Sequence, residues 1–151
     1  MTIKQITNTA FFLFFCFISS SAQQSVAHQW NEVLLDAIRS DYARPTVHAR
    51  NLFHTSIAMY DAWAVFDDKA DTYFLGKTIN GFTCLFDGIE SPVEVQAAQE
   101  EAISYAAYRL LSHRFQNSPG ASISQLRFDF LIDILGYDKN YTALDYSNGS
   151  P

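Results

Sequence analysis

A chain of 151 residues, 48% of them hydrophobic, has enough apolar material for one modest domain with a core. Its 16 acidic and 10 basic side chains give a net charge of −6 without any basic cluster. This balance argues against nucleic acid and anionic membrane surfaces as partners, because both carry negative charge.

The first residues have the three parts of a secretory signal peptide. Lys4 supplies positive charge, residues 10–18 form an apolar run rich in phenylalanine, and small residues follow up to Ala22. The run is too short to span a bilayer, which takes roughly 20 residues. We therefore predict a signal peptide over residues 1–22, cleavage after Ala22, and a secreted or periplasmic product that begins at Gln23 and has no membrane contact.

A first helix is predicted from about Ser25 to Asp41. The Ser25 hydroxyl suits an N-cap, because it can accept a hydrogen bond from an unpaired N–H of the first turn. Apolar residues then recur at helical spacing and define a core-facing stripe. The stripe consists of Val26, Trp30, Val33, Leu34, Ala37 and Ile38.

A second helix is predicted from Arg44-Pro45 to about Phe66. Proline suits the first helical position, where its missing N–H would have no partner anyway. Apolar residues cover nearly every face, and a helix of that kind is usually buried. We therefore expect this to be the central helix. We also expect core positions for Trp30, Met59, Tyr60 and Trp63.

A long ordered loop with a short extended piece is predicted over about 67–91, where glycines interrupt the helical pattern. It contains Cys84, the only cysteine left once the signal peptide carrying Cys16 is removed. An intrachain disulfide is then impossible, so the fold depends on packing. We expect Cys84 to be buried or partly buried rather than catalytic.

Two further helices complete the predicted fold. Ser91, Pro92 and Glu94 match a capping box before a helix that runs to about Phe115. Its predicted stripe is Val95, Ala98, Ala102, Ala106 and Leu110. Ser122 and Gln125 form the second predicted capping box, and Gly136 is the predicted stop of the fourth helix. Its predicted stripe is Ile123, Leu126, Phe130, Leu131 and Ile134. The predicted fold class is all-α, an incomplete bundle of about four helices.

Catalytic motifs are absent from the sequence. The histidines are His28, His48, His54 and His113, and none belongs to a His-Glu-x-x-His pattern. There is no Cys-x-x-Cys pair, no Gly-x-Ser-x-Gly and no glycine-rich phosphate loop before a lysine. The residues therefore suggest no metal site, serine nucleophile or nucleotide site.

A polar strip on the second helix is the best candidate for a functional site. Arg50, His54 and Asp61 lie within a sector of about 40° on an otherwise apolar helix. They either line a cleft or pair with neighbouring elements and fix the packing. We favour the second interpretation, because charged side chains on buried faces are usually paired.

The stretch from Val26 to about Asp67 resembles the opening helical pair of secreted vanadium-dependent haloperoxidase-like proteins, in the type 2 phosphatidic acid phosphatase superfamily. Gly136-Tyr137-Asp138 and the segment 145–149 also resemble theirs. The resemblance implies a helical bundle, a chain that continues for several hundred residues, and vanadate as the cofactor of the full-length family. It also implies peroxide-dependent halide oxidation there, or phosphatase chemistry in related members.

The family's oxyanion-binding residues have no counterparts in this sequence. The family pattern of Lys, six residues and Arg-Pro is absent, as are Ser-Gly-His and an arginine followed six positions later by a histidine. No catalytic, cofactor-binding or metal residue is therefore assigned to this chain. The chain is then an N-terminal scaffold segment whose partner is the missing helical bundle. The alternatives are a non-catalytic secreted interaction module, which could associate with itself, and a segment of a related acid phosphatase.

Overall fold

The computed structural model describes residues 24–89 and 91–142. The predicted signal peptide, its cleavage site and the similar segment 145–149 lie outside the described residues. The elements in chain order are α1 (Val26–Arg39), α2 (Pro45–Ala64), β1 (Thr78–Ile79), β2 (Phe82–Thr83), α3 (Val95–Phe115) and α4 (Ala121–Ile134). The all-α prediction is confirmed for the described chain, which has four helices and one small two-stranded hairpin.

The third helix is central. α3 packs against α1, α2 and α4, whereas α2 and α4 make no contact with each other. The expectation that α2 is the central helix is therefore wrong. Several of its apolar side chains face outward, and its buried positions include the polar residues Asn51, Thr55 and Asp61. The α2-facing side of α3 carries the small Ala106, which lines a groove between the two helices.

The core lies where α1, α3 and α4 meet. Its fully buried members include Trp30 of α1, Leu111 of α3 and Ile132 of α4. The stripe predicted for α1 is confirmed, because each of its residues is buried or packs against the core. Among the other expected core residues, Met59 is buried, Trp63 is half-buried against the core, and Tyr60 is exposed. The prediction for Tyr60 is therefore wrong.

Local signals at three helix ends are confirmed. The Ser25 hydroxyl accepts a hydrogen bond from the His28 backbone N–H at 3.2 Å, and Pro45 occupies the first turn of α2. Gly136, two residues after the end of α4, adopts φ 86°. There the Tyr137 N–H donates to the Ile132 carbonyl at 3.1 Å, which ends the helix in a left-handed turn.

Both predicted capping boxes are wrong. α3 starts at Val95 with Glu94 at its cap position, and α4 starts at Ala121 with Gly120 at its cap position. Neither cap makes a side-chain hydrogen bond. At α4 the reason is packing: a Cβ on Gly120 would lie 2.5 Å from the Cβ of Ser40. Glycine therefore occupies the cap position, and the helix begins before Ser122.

The apolar residues of α4 that were predicted to face the core are mostly exposed. The exposed members are Ile123 at 48%, Leu126 at 64%, Phe130 at 67% and Ile134 at 65%. The buried face carries Phe128 and Ile132 together with Leu131, the one member of the predicted stripe that is buried, and Phe128 packs near Phe115. α4 therefore has two apolar faces, and only one meets the core. We call the exposed set of four residues the outer stripe.

The loop after α2 contains the hairpin. Thr78 pairs with Thr83 and Ile79 with Phe82 in antiparallel register. Asn80 and Gly81 form the turn with φ of 51° and 83°, as a two-residue hairpin requires. Cys84 follows the hairpin and is half-buried, which agrees with the sequence expectation. The loop prediction is thus confirmed, including its short extended piece.

Candidate functional site

An apolar groove of 440 Å³ lies between α2, α3 and the loop that follows α2. We call it the α2–α3 groove. Its lining consists of His54, Ile57, Ala58, Asp61, Phe74, Leu75, Ala106 and Leu110. Two members of the polar strip predicted from sequence, His54 and Asp61, therefore lie in one groove, seven residues apart along α2.

Asp61 lies at one end of this groove. Its side chain is buried, and its Oδ1 accepts a hydrogen bond from the Tyr73 backbone N–H. Its Oδ2 accepts from the N–H groups of Phe74 and Leu75 at 2.8 and 3.0 Å. The carboxylate thereby holds the loop against α2 and makes Phe74 and Leu75 a wall of the groove. Asp61 thus has the structural role favoured from sequence.

The opposite end of the groove is basic. The Arg114 guanidinium lies 2.6 Å from Nδ1 of His54. Because a guanidinium only donates, Nδ1 is the acceptor, and the proton of the neutral imidazole is on Nε2. Burial lowers the pKa of His54 below its usual value near 6.5, and the charges of Arg114 and Arg50 lower this pKa further.

Two arginines at this end have no acidic partner in the described part of the chain. Arg50 is exposed one turn before His54, and Arg114 is exposed near the end of α3. Neither forms an ion pair with an Asp or Glu of residues 24–89 or 91–142. Arg114 contacts His54, which lines one end of the groove, and the charge of Arg50 also acts on this histidine, although neither arginine is among the lining residues. Arg114 was not identified from sequence, because it is 60 residues away from His54.

A second groove, of 490 Å³, lies where the starts of α1 and α3 meet the end of α2. Met59, Trp63 and Ile103 give it an apolar floor. Its polar lining consists of Ser25, Asn31, Ser56, Gln96, Gln99 and Glu100. The Glu100 carboxylate already accepts a hydrogen bond from Gln96 at 2.9 Å. This groove is lined by neutral polar groups and one carboxylate but by no basic group.

Other kinds of site find little support. Within residues 24–89 and 91–142, no three His, Cys, Asp or Glu side chains cluster closely enough to hold a metal ion. No described helix is both long enough and apolar enough to cross a bilayer. No protein-family model, curated protein or solved structure matches the chain. The haloperoxidase resemblance is therefore a hypothesis based on the sequence alone.

Proposed function

We propose that this chain is a non-catalytic helical scaffold segment of a secreted haloperoxidase-like protein. In this proposal it packs against a helical bundle that binds the oxyanion and carries the chemistry. The observation that carries the proposal is the outer stripe of α4, an apolar surface on the outside of the described fold.

The spacing of the outer stripe favours a helical partner. Ile123, Leu126, Phe130 and Ile134 follow one another at intervals of three, four and four residues. This spacing forms a seam whose side chains can insert between those of a second helix. Contiguous exposed apolar surface of this kind commonly marks a protein interface.

The charges beside the outer stripe support a close apolar contact. Arg127 Nη1 lies 2.6 Å from Asp36 Oδ2, and Lys139 Nζ lies 2.9 Å from Asp133 Oδ2. A partner that covers the stripe would therefore bury few unpaired charges, which would otherwise cost free energy. The oxyanion-binding residues would come from the partner bundle, because the sequence of this chain lacks the family's set.

The reading frame downstream of this sequence gives the first test. We expect it to stay open and to encode the missing lysine, arginines and Ser-Gly-His. The extended product should oxidise bromide with peroxide in a vanadate-dependent manner, and the 151-residue chain should not. A stop codon directly after Pro151 would contradict the scaffold proposal and favour the free-standing interaction module.

Thiol labelling gives the second test. Leu126→Cys in a Cys84→Ser background should react rapidly with a maleimide in the short chain and much more slowly in the extended one. Asn117→Cys, in the exposed turn after α3, is the matched control and should react at similar rates in both. If extension of the chain slows the labelling of Leu126→Cys no more than the labelling of Asn117→Cys, the outer stripe is not the interface.

A further inference from the structure

We propose that the α2–α3 groove binds a single-chain anionic amphiphile, a fatty carboxylate. The acyl chain would lie along the apolar walls, and the carboxylate would lie at the basic mouth formed by Arg50, His54 and Arg114. This site is separate from the outer stripe, because α4 contributes no residue to the groove lining.

The walls fit an acyl chain. Apart from His54 and Asp61, the lining residues are all apolar, and they come from both helices and the loop. The backbone N–H groups of Tyr73, Phe74 and Leu75 already donate to Asp61, so they are not free to donate to a ligand at that end. A volume of 440 Å³ lies within the usual range for small-molecule sites, roughly 300–1,000 Å³.

The charge distribution fixes the orientation of the ligand. A carboxylate at the mouth would meet the guanidinium groups of Arg50 and Arg114, which have no acidic partner among the described residues, and a guanidinium can bind a carboxylate through two parallel hydrogen bonds. At the other end the charge of Asp61 would repel a second anion. The site therefore selects one anionic head and an uncharged tail.

The helix geometry sets the length of the chain. His54 and Asp61 are seven residues apart, which is about 10 Å along the axis of α2. An extended chain of about eight carbons covers this distance. Longer chains would have to leave the groove beyond Asp61, so medium-chain carboxylates fit best.

Decanoate is a suitable probe, used below its micelle concentration with the exported protein. In two-dimensional NMR spectra, saturable shifts should concentrate at Ile57, Phe74, Leu75 and Ala106. Arg50→Gln combined with Arg114→Gln should weaken binding about 10-fold or more, as expected for losing charge-assisted hydrogen bonds. Arg39→Gln changes an exposed arginine of α1 outside the groove, and it should leave the affinity unchanged.

Two further experiments test the contributions of the ligand's charged group and of its acyl chain separately. Decyltrimethylammonium has the same chain with the opposite charge and should bind much more weakly than decanoate. Ala106→Phe should fill the groove and abolish binding while the helical circular dichroism persists. If that variant unfolds, the arginine variants and the cationic amphiphile decide the question. Equal affinity for both amphiphiles, unchanged binding in the double arginine variant, or shifts centred on Trp63 would overturn the proposal.

Discussion

Gly120 lies against Ser40, so that a Cβ added at residue 120 would stand 2.5 Å from the Ser40 Cβ and 2.7 Å from its backbone oxygen. This contact joins the start of α4 to the residue that caps α1. Part of the opposing surface is backbone, which cannot move away as a flexible side chain can. The close approach of α1 and α4 therefore depends on glycine at this position.

Gly120→Ala should destabilise the protein by about 1–3 kcal/mol, the usual effect of inserting a methyl group into a packed contact. Chemical denaturation followed by circular dichroism measures the change. Ser122→Ala, in the exposed first turn of the same helix, is the control and should have almost no effect. An unchanged or increased stability of Gly120→Ala would contradict the contact.

Asp61→Ala should lower the free energy of unfolding by about 3 kcal/mol, because backbone N–H groups of the loop lose a charged acceptor. Equilibrium denaturation measures this loss. Asp68→Ala removes an exposed carboxylate from the following loop and should change stability little. Similar losses in the two variants would show that the buried carboxylate does not hold the loop.

The positive charges near His54 should affect the pKa measured for its imidazole. Its pKa lies below 6.5 because of burial and the charges of Arg114 and Arg50. Arg114→Gln should raise this pKa, and NMR titration of the imidazole protons measures it. A pKa that falls, or stays the same, in the variant would contradict the position of Arg114.

The same depressed pKa predicts how stability depends on pH. Between the folded pKa of His54 and its usual value near 6.5, the unfolded chain binds more protons than the folded one. The contribution of His54 to stability should therefore increase as pH rises through that interval. His54→Gln should remove this increase of the unfolding free energy with pH. His113→Gln changes a histidine at an exposed position and is the matched control, which should keep the increase.

The two tryptophans should differ in their contribution to stability. Trp30 is fully buried and contacts the Tyr108 ring edge-on at 6.3 Å between centroids, whereas Trp63 is half-buried. Trp30→Ala should cost about 3–5 kcal/mol, and Trp63→Ala should cost less. Thermal or denaturant unfolding of the two variants tests this order. A larger loss of stability for Trp63→Ala than for Trp30→Ala would contradict a core centred on Trp30.

Much of the fold was predictable because its signals are local. The N-cap at Ser25, the proline at the start of α2 and the stop at Gly136 each depend on a few neighbouring residues. The sequence analysis predicts only a short extended piece in the loop, although Asn80-Gly81 is also a strong two-residue turn signal for the hairpin. Periodicity shows which residues share a face, but it does not show which face meets the core. α4 has two apolar faces, so its burial was decided by contact with α1 and α3.

The site was less predictable because its contacts are distant in the chain. Helical spacing alone places Arg50 and His54 on neighbouring turns. The approach of Arg114 depends on the packing of α3 against α2, which no local pattern indicates. The partners of Asp61 are backbone N–H groups, and these are present at every residue except proline. The sequence therefore indicates that Asp61 needs partners without indicating which residues provide them.

Three successive backbone amides share one carboxylate, and this affects how the loop segment opens. Tyr73, Phe74 and Leu75 all donate to Asp61, so a motion that releases one of them displaces the others as well. The segment should therefore open as one cooperative unit, and hydrogen exchange of the three amides should report one common free energy of opening once their intrinsic exchange rates are taken into account.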